Sequence, residues 1–161
     1  MELVRFLPEL NVTAMLMDTD AANLESGRQL ANQLGLTRLD FAVGDAFDER
    51  GLGHLEPAPN VVLAAGIYEL AADNSKVLNS LRGLAKGMLP GGLLVYTDQP
   101  HHPHLEMIGR VTVQRGESPW VMRRRAPDEL AALLGEAGFD ALTSESDEQG
   151  LFTVGLAQLP L

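Results

Sequence analysis

VVLAAGIYELAADNSKVLNSLRGLAKGMLPGGLLVYT, residues 61–97, is the stretch from which the fold follows. Residues 61–66 are a short apolar run closed by Gly66, which reads as a strand covered on both faces. Asp73 or Asn74 can accept the first free amides of a helix. Val77, Leu78, Leu81, Leu84, Ala85 and Met88 then recur at the spacing of one helical face. Pro90-Gly91-Gly92 stops that helix, and residues 93–97 are a second apolar run. A strand, a helix and a strand in this order predict a parallel pair, because parallel strands need a crossover of a dozen or more residues.

The same alternation extends outward. Residues 11–18 (NVTAMLMD) read as a buried parallel strand ending in Asp18. Leu24, Leu30, Ala31 and Leu34 approximate helical spacing over 21–34, with Gly35 as the stop. Residues 39–43 are a further strand, closed by Gly44-Asp45-Ala46-Phe47-Asp48. Downstream, Pro127 with Asp128 and Glu129 opens a helix that ends at Ala137-Gly138. Strands at 140–145 and 151–158 flank Asp147-Glu148-Gln149-Gly150, a hairpin turn. The expected fold class is α/β: a Rossmann-like, mostly parallel sheet with a C-terminal antiparallel hairpin, in one domain over 1–161.

The chain has 161 residues, no cysteine, and 22 acids against 12 bases, for a formal net charge of −10. At that length a fold hides roughly 70% of the surface of its unfolded chain, so no disulfide or metal staple is required. The lack of Cys excludes a disulfide scaffold, a cysteine zinc site and thiol catalysis, and it fits a reducing compartment. With hydrophobic residues at 45% and aromatic residues at 5%, the core must be aliphatic. The apolar run 61–72 is interrupted by Glu69 and falls short of the ~20 residues that cross a bilayer. The first residues, Met1-Glu2-Leu3-Val4-Arg5, carry no secretory pattern, so a cytoplasmic protein with no membrane span is expected. Arg110, Arg115, Arg123, Arg124 and Arg125 lie in a stretch whose single acid is Glu117. That segment is locally about +4 and the remainder about −14. An acidic body opposes nucleic-acid binding, which needs many bases on one face, but leaves room for a small anion site.

Open α/β sheets bind ligands outside the carboxyl ends of their strands. The residues there are Asp18, then Gly44-Asp45-Ala46-Phe47, then Gly66-Ile67-Tyr68-Glu69, then Asp98-Gln99-Pro100. An acid ending one strand can accept both hydroxyls of a ribose, and an acid ending the next can accept from an exocyclic amine. The pair points to adenosine.

The segments GDAFD, IYEL, LPGGLLVYT, QPHHPHLEMI, PWVMRRR and AGF…GLFTVGLAQ resemble the class I S-adenosylmethionine-dependent methyltransferase family often found fused behind an α/β-hydrolase domain. The resemblance covers nearly the whole chain. It is specific in PWVMRRR and QPxHPxLEMI and generic in GDA and PGG. It implies S-adenosyl-L-methionine as cofactor and a small-molecule substrate. By this resemblance Asp18 matches the acid that holds the ribose hydroxyls and Asp45 the acid that meets the adenine amino group. Gly44 belongs to that turn, the Ala46 amide faces the adenine ring, and Phe47 packs against it. Gly66, Ile67 and Tyr68 match the strand end beneath the sulfonium and methyl, and His102 matches the family histidine.

The family's first strand and its glycine-rich turn should precede Asp18 by about one helix, and only that helix, residues 2–10, is expected here. The chain thus reads as a partial domain lacking its central strand, which would lie between the strands ending at Asp18 and Gly66. Its loss leaves backbone groups unpaired. An alternative reading is a non-catalytic module that has lost its cofactor turn and acts by association, with an upstream hydrolase domain or a dimer partner. An NAD-binding domain ranks last, since no glycine fingerprint follows a strand.

Tyr68, Glu69 and His102 are the catalytic candidates: a carboxylate in a cleft can serve as general base, and an imidazole titrates near neutrality. Against these stand a Tyr packed at the sheet edge and a Glu that merely starts a helix. Asp18 could equally cap a helix, and Asp48 reads as a loop cap. His101, His102 and His104 are not expected to hold a metal, because Pro103 breaks their spacing and no Cys assists. Arg123, Arg124 and Arg125, with Trp120, are candidates for gripping an anionic or lipid-like substrate, since Arg binds carboxylate and phosphate bidentately. Alternation along an extended segment puts Arg123 and Arg125 on one side and Arg124 on the other.

Overall fold

The computed structural model describes residues 11–112 and 122–161. The expected helix at 2–10 and the Trp120 assignment lie outside them. The chain divides into two compact units, Met1–Ala46 and Phe47–Leu161.

In the first unit, β1 (Ala14–Asp18) runs parallel to β2 (Leu39–Val43), with α1 (Ala21–Gln33) between them in sequence. Asp20 caps α1 by accepting from the Ala22 amide at 2.8 Å, and Gly35 takes φ 66° at its exit. Leu24 and Ala31 are buried on the helix face. Gly27 permits the helix to approach the sheet closely: a Cβ there would stand 2.8 Å from the Phe41 ring. The fully buried strand expected at 11–18 is not what the unit holds, since Met15 and Met17 are both 39% exposed. The run is apolar on both alternations, but among the described residues β1 has a ladder partner on one side only.

In the second unit the sheet order is β3 (Val61–Ala64), β4 (Leu93–Asp98), β6 (Thr153–Gln158), β5 (Asp140–Ser146). β3 and β4 are parallel, and β6 is antiparallel to both β4 and β5. The predicted crossover is present: α3 (Asn74–Gly87) is capped by Asp73 and buries Val77, Leu81 and Leu84. α5 (Pro127–Ala137) has Pro at its first turn and Gly138 at φ 96° as its stop, the combination its sequence predicts. Two further helices, α2 (Glu49–Leu52) and α4 (Leu105–Val111), have no counterpart among the elements expected from the sequence. Each is only one or two turns long, too short to show a period. Asp48 is the cap of α2, as its sequence context indicates. α2 seats against α3 because Gly83 and Gly87 present bare backbone to it. A Cβ on Gly87 would meet the Leu52 carbonyl oxygen at 1.9 Å.

The core of this unit is aliphatic, with Leu52, Leu81, Leu94, Leu130 and Leu134 buried around Tyr68, Tyr96 and Phe139. Tyr96 lies across from Gly155 in the β4–β6 ladder, and its ring occupies the space a side chain on Gly155 would take. β6 alternates buried and exposed residues, while every residue of β5, the edge strand, is exposed.

Candidate functional site

In the first unit, Asp18 ends β1 and the turn into α1 holds its carboxylate. Oδ1 accepts from the Asp20 amide at 2.8 Å and Oδ2 from Asn23 Nδ2 at 2.9 Å. The helix cap is Asp20, so Asp18 does not cap the helix. Gly44 follows β2 and donates its amide to the Asp18 carbonyl at 3.1 Å. A Cβ on Gly44 would fall 2.2 Å from the Met17 methyl, so glycine keeps the two strand ends close. Asp45 is exposed and Ala46 half-buried.

In the second unit, Phe47 packs against the hydrophobic core, as does Ile67. β3 ends in a turn where Gly66 adopts φ 70° and donates its amide to Thr97 Oγ1 at 2.8 Å. Among the described residues, Glu69 Oε1 is the nearest atom to a would-be Cβ on Gly66, at 3.9 Å. Tyr68 and Glu69 then form a short 3-10 turn with Leu70. The Tyr68 side chain is fully buried in the core, its hydroxyl has no hydrogen-bond partner among the described residues, and burial pushes its phenol up to about 12. His102 also has a local task, because its Nδ1 accepts from the His104 amide at 3.2 Å in the turn leading to α4.

The arginine run follows the alternation its sequence predicts. Arg124 is exposed, Arg123 is half-buried and Arg125 is 0% exposed. Arg125 is committed to its own chain. Its guanidinium donates to the Tyr68 carbonyl at 2.6 Å, to the Ala71 carbonyl at 2.5 Å and, through Nε, to Asn74 Oδ1 at 2.9 Å. Arg123 is committed to the same segment. Its amide donates to the Glu69 carbonyl at 2.8 Å, and its guanidinium donates to the Ala72 carbonyl and pairs with Glu129 at 2.5 Å. The motif therefore works as a clamp on residues 68–72. The fork of an arginine suits paired carbonyls as well as it suits an anion.

The clamp fixes Glu69 next to the ends of β3 and β4. Glu69 and Asp98 are each only 2% exposed. Glu69 Oε2, both Asp98 carboxylate oxygens and Gln99 Oε1 are buried without a hydrogen-bond partner. Gln99 Nε2 reaches Glu69 Oε1 at a long 3.5 Å. Burial raises the Glu69 carboxyl above its ordinary value, and the Asp98 charge raises it further, against the pull of its own backbone and Arg125. Burial likewise raises Asp98. The Gln99 amide lowers it from nearby without meeting hydrogen-bond geometry, and Arg125 lowers it too. Asp98 and Gln99 are the residues that sequence reasoning passed over. Their position after a strand was visible, but their burial without partners was not. Among the described residues no group of three His, Cys, Asp or Glu side chains could hold a metal, and no helix is long and apolar enough to cross a membrane.

Residues 1–159 match the family described as "Putative methyltransferase", and the chain belongs to that family. It is similar to the uncharacterized protein YnbC of Escherichia coli (strain K12), with 44% identity over 145 residues. The match covers 89% of this chain and 25% of YnbC, so the chain spans about a quarter of that relative's length. Among solved structures, the apo form of the S-adenosylmethionine-dependent methyltransferase SibL superposes with a TM-score of 0.75 at 20% identity, over 99% of this chain and 46% of that one. An O-methyltransferase of neocarzinostatin biosynthesis, solved with S-adenosyl-L-homocysteine and 1,4-dihydroxy-2-naphthoic acid, gives 0.72 at 17% identity, over 99% and 46%. At these identities the likeness concerns the fold, an α/β architecture shared with methyltransferases.

Proposed function

We propose that the chain is a single, partial methyltransferase domain over 1–161 that takes part in methyl transfer from S-adenosyl-L-methionine to a small molecule. The observation that carries this reading is Asp18, an acid at the carboxyl end of a parallel strand with both oxygens oriented by its own turn. Family membership and the neighbour that holds S-adenosyl-L-homocysteine support it.

The residues present fit the cofactor. In the first unit Asp18 would hold the ribose hydroxyls, Asp45 the adenine amino group, and the Ala46 amide the ring. When bound, the cofactor supplies a methyl group on a positively charged sulfur. The chain's contribution is alignment and exclusion of water, with Glu69 the group placed to take a proton. Of the three arginines, Arg124 is the one left exposed to meet an anionic or lipid-like substrate. An upstream α/β-hydrolase domain and a second copy are the partners this reading allows.

Calorimetric titration of S-adenosyl-L-homocysteine into the chain, and into a form extended upstream by about 30 residues, one strand-helix unit, tests the reading. Binding is expected in at least the extended form. Asp18→Ala should weaken it at least tenfold, since charge-assisted hydrogen bonds contribute about 1.5–3 kcal/mol each. Binding by neither form refutes the proposal. The second reading, a non-catalytic association module, draws on the edges of β1 and β3. Each has one ladder neighbour among the described residues, and Leu63 on β3 is 60% exposed. Self-association in sedimentation without any cofactor binding favours it.

A further inference from the structure

Among the described residues, the second unit buries acceptors that no donor answers. Glu69 Oε2, both oxygens of Asp98 and Gln99 Oε1 have no partner, and each such group in a native core costs about 1–3 kcal/mol. Arg125 stands near both carboxylates, but its bonds go to the Tyr68 and Ala71 carbonyls and to Asn74. Charge counting leads to the same conclusion. Arg123 is paired with Glu129, which leaves Arg125 as one positive charge against Glu69 and Asp98. With both acids ionised, the described residues of the cluster therefore carry one negative charge in surplus. Proteins keep such uncompensated groups where a ligand completes them.

The missing ligand must offer several N–H donors and one positive charge. A divalent metal does not match, because among the described residues no group of three His, Cys, Asp or Glu side chains could hold one. A phosphate does not match either, because among the described residues the cluster offers it acceptors and a surplus acid but no free donor. Access lies beside Gly66, where the absent side chain leaves open space bordered by Glu69 Oε1.

We propose that Glu69, Asp98 and Gln99 form an acceptor-only recess that receives the ammonium group of an amine, so that the methyl acceptor of this chain is an amine. This rests on the methyltransferase reading only for calling the amine a methyl acceptor. An ammonium must lose a proton before its nitrogen is a nucleophile, and the carboxylate pair is the acceptor within reach. The clamp formed by Arg123 and Arg125 then positions Glu69 and does not bind substrate.

The test uses the whole chain and a small probe whose shape fits any amine recess. Thermal unfolding is followed in methylammonium chloride, tetramethylammonium chloride and sodium chloride at equal ionic strength. Methylammonium at about five times its dissociation constant should raise the midpoint by about 2–4 °C over sodium. Tetramethylammonium has the same charge and no N–H, and should behave like sodium. Asp98→Asn and Glu69→Gln, which keep shape and remove charge, should each abolish the methylammonium effect. Equal responses to the three cations overturn the proposal, and this arm needs no variant to fold. A response that survives both substitutions overturns it too. If S-adenosyl-L-homocysteine binds and methylammonium does nothing, the amine recess is refuted and the methyltransferase reading stands. If methylammonium acts through Asp98 and S-adenosyl-L-homocysteine binds in no form, the recess stands and the methyltransferase reading falls.

Discussion

Replacing Arg125 by methionine, of similar length and no charge, removes the clamp on residues 68–72. Three hydrogen bonds vanish at once, and the carbonyls of Tyr68 and Ala71 lose the donor that the buried guanidinium supplied. Each orphaned carbonyl costs about 1–3 kcal/mol, partly offset by the desolvation the guanidinium no longer pays. Losing the positive charge also leaves Glu69 and Asp98 facing each other without a counter-ion. A net loss of about 3–5 kcal/mol is expected, the range for breaking one side of a buried charged network. Urea unfolding of the wild-type and variant chains measures it. Hydrogen exchange localises it: the Leu70 and Ala71 amides, bonded to Ile67 and Tyr68 carbonyls, should exchange faster in the variant. Arg125→Lys should recover only part of the loss, because an ammonium has no fork to span two carbonyls and Asn74. A cost below about 1 kcal/mol, with exchange at 70 and 71 unchanged, would refute the clamp and return Arg125 to the list of substrate contacts.

Other consequences follow from the same contacts. Gly87→Ala should gain about 1 kcal/mol of helix propensity yet destabilise overall by about 2 kcal/mol or more, as its methyl would enter the Leu52 carbonyl. An unfolding midpoint equal to or above wild type would show that α2 can move away. Glu69 and Asp98 have folded-state values raised above their ordinary 4.5 and 3.8, so the folded chain binds their protons more tightly than the unfolded chain. Their contribution to stability is best below those ordinary values and declines as pH rises through the raised ones. Urea titrations between about pH 4 and pH 7 should therefore show a shallower decline for Asp98→Asn than for wild type, and parallel profiles would contradict the assignment. Arg124→Ala should leave stability within about 0.5 kcal/mol, as its side chain is exposed. Arg123→Ala should cost more, mainly through the bond to the Ala72 carbonyl, because its half-exposed ion pair with Glu129 contributes no more than about 1 kcal/mol. Equal values for the two variants in denaturant unfolding would remove Arg123 from the clamp.

Element identity was legible where the signal is local. Pro127 and Gly138 bound α5, Asp73 caps α3, and the apolar runs at 39–43 and 61–64 are strands, because caps, turns and periodicity act within a few residues. The strand-end acids and the inward and outward alternation of Arg123, Arg124 and Arg125 were legible for the same reason. The partners of those side chains were not. Arg125 meets the Tyr68 carbonyl 57 residues away, and Arg123 meets the Ala72 carbonyl at a separation of 51. No spacing rule in the sequence separates a carbonyl clamp from an anion grip, since the same five donors serve either. Tyr68 and Asp98 make the point most plainly. The sequence alone determined that both follow apolar strands. Only the tertiary structure decided that Tyr68 is core packing and Asp98 is buried with both oxygens unanswered, because burial and satisfaction depend on which distant atoms the fold brings alongside.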